Sequence, residues 1–184
     1  MELIAEFDNF IFSVAEMISC SFFDWFFRII TYTGDKGIVW IVAGLALMTI
    51  KKTRKIGYCV IVSLLVTVIL NNYMLKEIFD RTRPFVADPS IKLLIDIPHG
   101  SSFPSGHTSS SFAAATAIFM YNRKMGVFAL AYATLMGLSR IYLHVHYATD
   151  VIGGMIVGIV IAVLVAIGIE KVYNKFQEKM NGEV

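Results

Sequence analysis

The chain has 184 residues, enough for one domain, and a formal net charge of only +2. Apolar residues make up 57% of it, against about 45–50% in a soluble globular chain, and the mean hydropathy is +0.67. This balance excludes nucleic-acid binding driven by bulk charge, and Cys20 and Cys59, with no CxxC or Cys/His set around them, read as small apolar residues rather than a redox or metal pair.

The first basic residue is Arg28, so the N-terminus lacks the basic start of a secretory signal and the first apolar segment is expected to stay as an anchor. A membrane-crossing helix needs about 20 mostly apolar residues. Phe10 to Thr33 is the weakest candidate, because it holds Glu16, Asp24 and Arg28; it reads as one tilted span or as an interfacial helix and a short span. Ile38 to Ile50 follows, then Ile56 to Leu75, which ends in Asn71 and Asn72. Pro104 to Tyr121 has no Lys, Arg, Asp or Glu, Met125 to Leu143 is apolar until Arg140, and Val151 to Ile169 carries no charge. The pattern predicts an all-α, polytopic transmembrane bundle of about six helices, with five as the alternative, forming a single membrane-embedded domain over residues 1–184.

Basic residues mark the cytoplasmic ends of spans. Lys51, Lys52, Arg54 and Lys55 follow the second helix, Arg123 and Lys124 the fourth, and Lys171, Lys175 and Lys179 the sixth. With alternating helices these ends share one face, expected to be cytoplasmic and to hold both termini. The opposite, extracytoplasmic face then carries Gly34-Asp35-Lys36, the loop from Lys76 to Phe103 and the turn from Arg140 to Asp150. Pro84, Pro89, Pro98 and Pro104 all fall in or beside that loop, making it the one substantial non-helical region. Its apolar stretch Leu93 to Ile97 is expected on the membrane surface.

Three polar groups fall on that outer face. Lys76 and Arg83 are seven residues apart, so on a helix they share a face and present two cations to an oxyanion; ordinary juxtamembrane charge, the reading given to Lys36 and Lys92, is the alternative. Pro104-Ser105-Gly106-His107 opens a helix, where free N–H groups attract anions and Gly106 permits close approach; the alternative is a plain Ser-rich cap drawing on Ser101, Ser102 or Ser105, with Ser109, Ser110 and Ser111 as packing residues. In the third group, Ser139-Arg140 precedes His146 and Asp150, which lie four apart. A carboxylate there can orient the imidazole as a nucleophile, or the pair simply ties down a turn; His144 and His99 read as structural. Each group is open to a bland reading, but ionisable residues at a membrane edge are costly and usually functional. His107, His146 and Asp150 could ligate a metal, yet no HxxxH or HExxH pair occurs and the surrounding cations would repel one, so neither metal nor cofactor is expected.

Lys76-x6-Arg83-Pro84, Pro104-Ser105-Gly106-His107 and Ser139-Arg140-x5-His146-x3-Asp150, complete and in order, resemble the three signature motifs of the type 2 phosphatidic acid phosphatase superfamily. The resemblance implies that His146 attacks phosphorus to form a phosphohistidine, that Asp150 orients it, and that His107 protonates the leaving oxygen and then activates water. It implies that Lys76, Arg83, Ser105, Gly106 and Arg140 hold the phosphoryl oxygens. The family also includes soluble acid phosphatases and vanadate-dependent haloperoxidases, which the membrane spans argue against. The small size and the Leu70-Asn71-Asn72 lead-in are similar to bacterial undecaprenyl-diphosphate phosphatases of this family, so a lipid phosphate is the implied partner, with phosphatidylglycerophosphate and phosphatidic acid as other substrates. The competing class is a phosphate-lipid carrier without turnover. The sequence leaves oligomeric state open.

Overall fold

The computed structural model describes residues 2–182, with side chains described to Lys175, so Lys179 lies outside the described side chains. Among the described residues the chain is all-helical. In order come α1 (Glu2–Met17), α2 (Ser21–Thr33), α3 (Ile38–Thr49) and α4 (Arg54–Leu70), which continues through a π turn, Asn71–Leu75, into α5 (Lys76–Phe79). The short α6 (Pro84–Ala87) precedes the long loop, and α7 (Gly106–Tyr121), α8 (Arg123–Tyr142) and α9 (Ala148–Gly182) complete the bundle.

α7 is the axis. Its Ala113, Ala114, Ala115 and Ala117 are fully buried, and α4, α8 and α9 pack around it. In lipid, close van der Waals packing replaces the hydrophobic drive between helices, and small residues permit it. A Cβ on Gly158 of α9 would collide with the Ser109 carbonyl and lie 2.9 Å from the Ala113 nitrogen of α7. A Cβ on Gly57 of α4 would lie 2.6 Å from the Gly44 carbonyl of α3. Glycine at these two positions therefore sets how closely the helices approach. Polar side chains of the axis find partners inside the bundle, as when Trp40 Nε1 donates to Ser111 Oγ at 2.9 Å. Facing lipid, α8 and α9 expose Phe128, Ile156, Val160 and Leu164.

Three helical runs, Arg54–Ala87, Arg123–Tyr142 and Ala148–Lys175, are long and apolar enough to cross a membrane. The bent pair α1–α2 would be a fourth, but the chain bends by 120° between the two helices, and both ends of the pair stay at one end of the bundle. Asp8 of α1 bonds Thr149 at the start of α9, Glu16 lies 3.8 Å from His144, and Thr31 of α2 bonds Arg140 near the end of α8. The bundle thus has five runs between its two ends (α3, α4–α5, α7, α8, α9) and a bent pair packed against α8 and α9. Asp8 and Glu16 of α1 therefore lie at the same end of the bundle as the polar groups, not at the opposite one. The buried Asp8 needs partners, and they lie at the 147–150 turn. The basic ends do gather at the opposite end, where Lys55 pairs with Glu170 at 2.6 Å and its ammonium sits 5.5 Å from the Tyr121 ring centroid.

The long loop does not simply rest on the surface. Leu93 and Ile95 pack into a second core with Phe27, Tyr142, Leu143 and Val145, while Leu94 and Ile97 stay exposed. That packing folds residues 99–103 back over the turn between α8 and α9.

Candidate active site

The first polar group is not one helix face. Asp80 turns left-handed (φ +33°) and ends α5, and Arg81 to Arg83 run without helix into Pro84. Proline disfavours α geometry in the residue before it, and Arg83 accordingly has φ −76° and ψ 154°. The relation between Lys76 and Arg83 therefore does not rest on helical periodicity. Arg83 is 5% exposed. Its Nε donates to the Gly100 carbonyl (2.9 Å), its Nη1 to Val145 O (2.9 Å) and its Nη2 to His99 O (3.2 Å). His99 thus serves through its backbone. Lys76 is half-buried and within electrostatic reach of Arg83.

The second group opens α7 two residues later than the sequence suggests. Ser105 is the N-cap, Gly106 the first helical residue, and Pro104 lies outside. Ser105 is fully buried; its N–H donates to the Asp150 carbonyl at 3.1 Å and its Oγ accepts from Thr108 at 2.9 Å. A Cβ on Gly106 would meet nothing within 4 Å, so the first turn of α7 faces open space. His107 stands beside it, and its Nε2 meets Asp35 Oδ1 at 2.9 Å. The hydrogen bond from His107 holds the Asp35 carboxyl below its usual range.

The third group is a turn and a helix start. His146 precedes α9, and Asp150 sits in its first turn, where Oδ2 accepts the Tyr147 N–H at 2.9 Å. An acidic side chain reaching back to the cap residue is half of a capping box, and it fixes the carboxylate. The same Oδ2 accepts from Ser102 Oγ at 2.5 Å and faces His146 Nδ1 at 3.5 Å. Arg83 Nη1 lies 3.3 Å from His146 Nε2. Guanidinium can only donate, so Nε2 carries the lone pair and Nδ1 the proton that faces Asp150. Burial, then the charges of Arg140 and Arg83, push the His146 imidazole down to about 3 against the pull of Asp150, leaving it neutral at physiological pH.

Arg140 joins the groups. It is 3% exposed, bonds Thr31 Oγ1 through Nη1, and has an Nε with no partner among the described residues. Its charge acts on Asp35, His107 and His146, and that of Lys76 on His107. The arrangement gathers three cations, two imidazoles and a helix start within electrostatic reach of one another, a charge pattern suited to a tetrahedral oxyanion. Beside it opens a cleft of about 620 Å³, lined by Ile41, Leu45, Leu64, Val68 and, at its polar end, Gly106 and His107. Ser110 lines it too, rather than packing like Ser109 and Ser111. Among the described residues no set of three or more His, Cys, Asp or Glu converges as a metal site.

Several members of this constellation escaped the sequence reading. Asp35 and Ser102 pair with the two histidine systems, and Arg81 donates to Asp150 Oδ1 at 2.6 Å. An extended reading of Arg81-Thr82-Arg83 would have put both arginines on one side of the chain. Asp8 gave no sequence signal. His144 is a turn residue, with φ +54° and its ring 5.0 Å from that of Phe12.

Residues 55–173 match the PAP2 superfamily model. The chain belongs to the PAP2 superfamily. This PAP2 chain is 38% identical over 93 residues to the undecaprenyl-diphosphatase BcrC of Bacillus subtilis, an overlap of 50% of this chain and 48% of the relative. It spans about half the length of the curated relatives it matches. Among solved structures, the transmembrane PAP2-type phosphatidylglycerolphosphate phosphatase of Bacillus subtilis superposes with a TM-score of 0.75 at 25% identity, covering 93% of this chain and 88% of that one. Aquifex aeolicus LpxE gives 0.74 at 27% identity, covering 84% and 91%. With its apolar helices and transmembrane relatives, this PAP2 protein is a multi-pass membrane protein.

Proposed function

We propose that the chain, acting as one domain, is a metal-independent lipid phosphatase or diphosphatase working through a phosphohistidine. The observation that carries this reading is the polarity of His146: Nδ1 faces Asp150, while Nε2 faces the Arg83 guanidinium. The Nε2 lone pair attacks phosphorus, and the bond from phosphorus to the leaving oxygen breaks. Asp150 stabilises the imidazolium charge that forms. His107 delivers a proton to the leaving oxygen; with Nε2 held by Asp35, its imidazolium form keeps the N–H on Nδ1 for that transfer. Water, activated by the same His107, then attacks the phosphohistidine, releasing phosphate and neutral His146. Lys76, Arg83, Arg140, Ser105 and the N–H groups at Gly106 hold the phosphoryl oxygens and neutralise charge, the part that magnesium plays in kinases. Arg140 supports this role, since a phosphoryl oxygen would satisfy its orphaned Nε.

The apolar cleft that reaches His107 suits the chain of a membrane lipid, so the substrate class is a lipid phosphate. Undecaprenyl diphosphate is favoured by the likeness to undecaprenyl-diphosphatases; phosphatidylglycerophosphate and phosphatidic acid are the alternatives. Basic residues at the far end support a site on the extracytoplasmic side of the cell membrane, with α9 ending in the cytoplasm. The test is phosphate release from these three lipids by purified protein in EDTA. His146→Ala is expected to lose the activity, on the order of a thousandfold or more. Equal rates in the two proteins would sink the nucleophile, and tight binding without turnover on any of the lipids would favour a carrier.

A further inference from the structure

α1 lies outside the segment that matches the PAP2 model, residues 55–173. It is also poorly buried: Leu3, Phe10 and Met17 are exposed, and the buried residues of the helix are Asp8 and Ala15. An apolar helix whose most buried side chain is a carboxylate needs a reason, because a buried charge is costly unless paired.

Asp8 is 1% exposed and fully engaged. Oδ1 accepts the Thr149 N–H at 2.9 Å, near the start of α9. Oδ2 accepts the Thr149 hydroxyl at 2.8 Å and Arg81 Nη2 at 2.7 Å. Arg81 spends its other nitrogen on the same cluster, Nη1 donating to Thr149 Oγ1 at 2.7 Å and to Asp150 Oδ1 at 2.6 Å. The guanidinium also lies 4.1 Å from the centroid of the Tyr147 ring. One guanidinium therefore bridges two buried carboxylates, and the second of them is the partner of His146. Asp8 does two things for that partner. It supplies, from another helix, a cap for the turn that carries Asp150. It also shares the Arg81 guanidinium with Asp150, so that Arg81 does not pair with Asp150 alone.

We propose that Asp8 is a positioning residue for the His146–Asp150 pair, acting through Arg81 and Thr149, so that the N-terminal helix completes the nucleophile's support. The inference rests on the reading of His146 as nucleophile. Without the Asp8 charge, Arg81 would neutralise Asp150 alone, and the positive charge that develops on His146 during attack would be less stabilised. Asp8 bonds only Arg81 and Thr149, and none of Lys76, Arg83, Arg140 or the α7 start, so phosphate binding is expected to change little. Asp8 touches no reacting atom, so its effect belongs in the rate and not in the binding of phosphate.

The experiment compares the full-length wild type, Asp8→Asn and Asp8→Glu in detergent. It reads kcat and KM on a lipid phosphate, competitive inhibition by inorganic phosphate, and the melting temperature. Asp8→Asn is expected to lose roughly 10- to 100-fold in kcat, the range for misplaced catalytic geometry, with KM and phosphate inhibition within about twofold and part of the rate restored in Asp8→Glu. A folded Asp8→Asn protein with wild-type kcat overturns the proposal, as does one whose loss is all in KM. If Asp8→Asn does not fold, Arg81→Lys decides, with both carboxylates in place: a kcat drop supports the link and an unchanged kcat overturns it. A wild type without turnover would instead sink the phosphatase reading itself, so the two failures are distinguishable.

Discussion

Replacing Asp35 by asparagine keeps its shape and removes its charge, which isolates what it does for His107. With the carboxylate gone, the imidazolium loses the partner 2.9 Å from Nε2, and in the proposed mechanism proton delivery to the leaving oxygen would weaken. Asp35→Asn is expected to lower kcat by roughly tenfold or more, within the range for general acid catalysis, and to leave phosphate inhibition unchanged; steady-state kinetics on the purified variant check this. His146 makes a separate prediction about stability. Its imidazole titrates near 3 when folded and near 6.5 when unfolded, so between those values the unfolded chain binds more protons. Stability from this group therefore rises with pH across that window and is level above it. Melting curves in detergent should show the wild type losing more between pH 7 and pH 5 than His146→Gln does.

Helix–helix approach makes the site possible, and it too can be tested. Gly158 brings α9 against the α7 backbone, which holds Asp150 beside Ser105. Gly158→Val is expected to cost about 1–3 kcal/mol, as overpacking usually does, whereas Gly168→Val, where a Cβ would meet nothing within 4 Å, should stay within about 0.5 kcal/mol; denaturation of both variants in mixed micelles measures the difference. At this scale the sequence was informative where apolar runs were long. Arg54–Leu70, Arg123–Tyr142 and the start of α9 follow the expected spans closely. It was less so where the chain breaks: the α1–α2 bend at residues 18–20, the π turn at Asn71–Leu75 and the early end of α5 at Asp80 have no periodic signature. The eight residues read as a site each sit near a helix end, so their placement survives errors in helix length. Their partners Asp8, Asp35, Arg81 and Ser102 stayed hidden because they act across long sequence separations, which spacing along a chain does not encode.

The molecule as a whole is polarised, with Lys55, Glu170 and Tyr121 tied together at one end and the candidate site at the other. Single cysteines placed in residues 85–103, in a background lacking Cys20 and Cys59, are expected to react with an impermeant maleimide in intact cells; protection there would reverse the orientation. The bent α1–α2 pair carries a consequence for this vectorial layout. A pair that returns to the side it starts on, followed by five runs, predicts an odd number of crossings. A phosphatase or fluorescent reporter fused ahead of α1 and the same reporter fused after α9 should then register opposite compartments, and matching signals from both would mean that the hairpin pierces the bilayer after all.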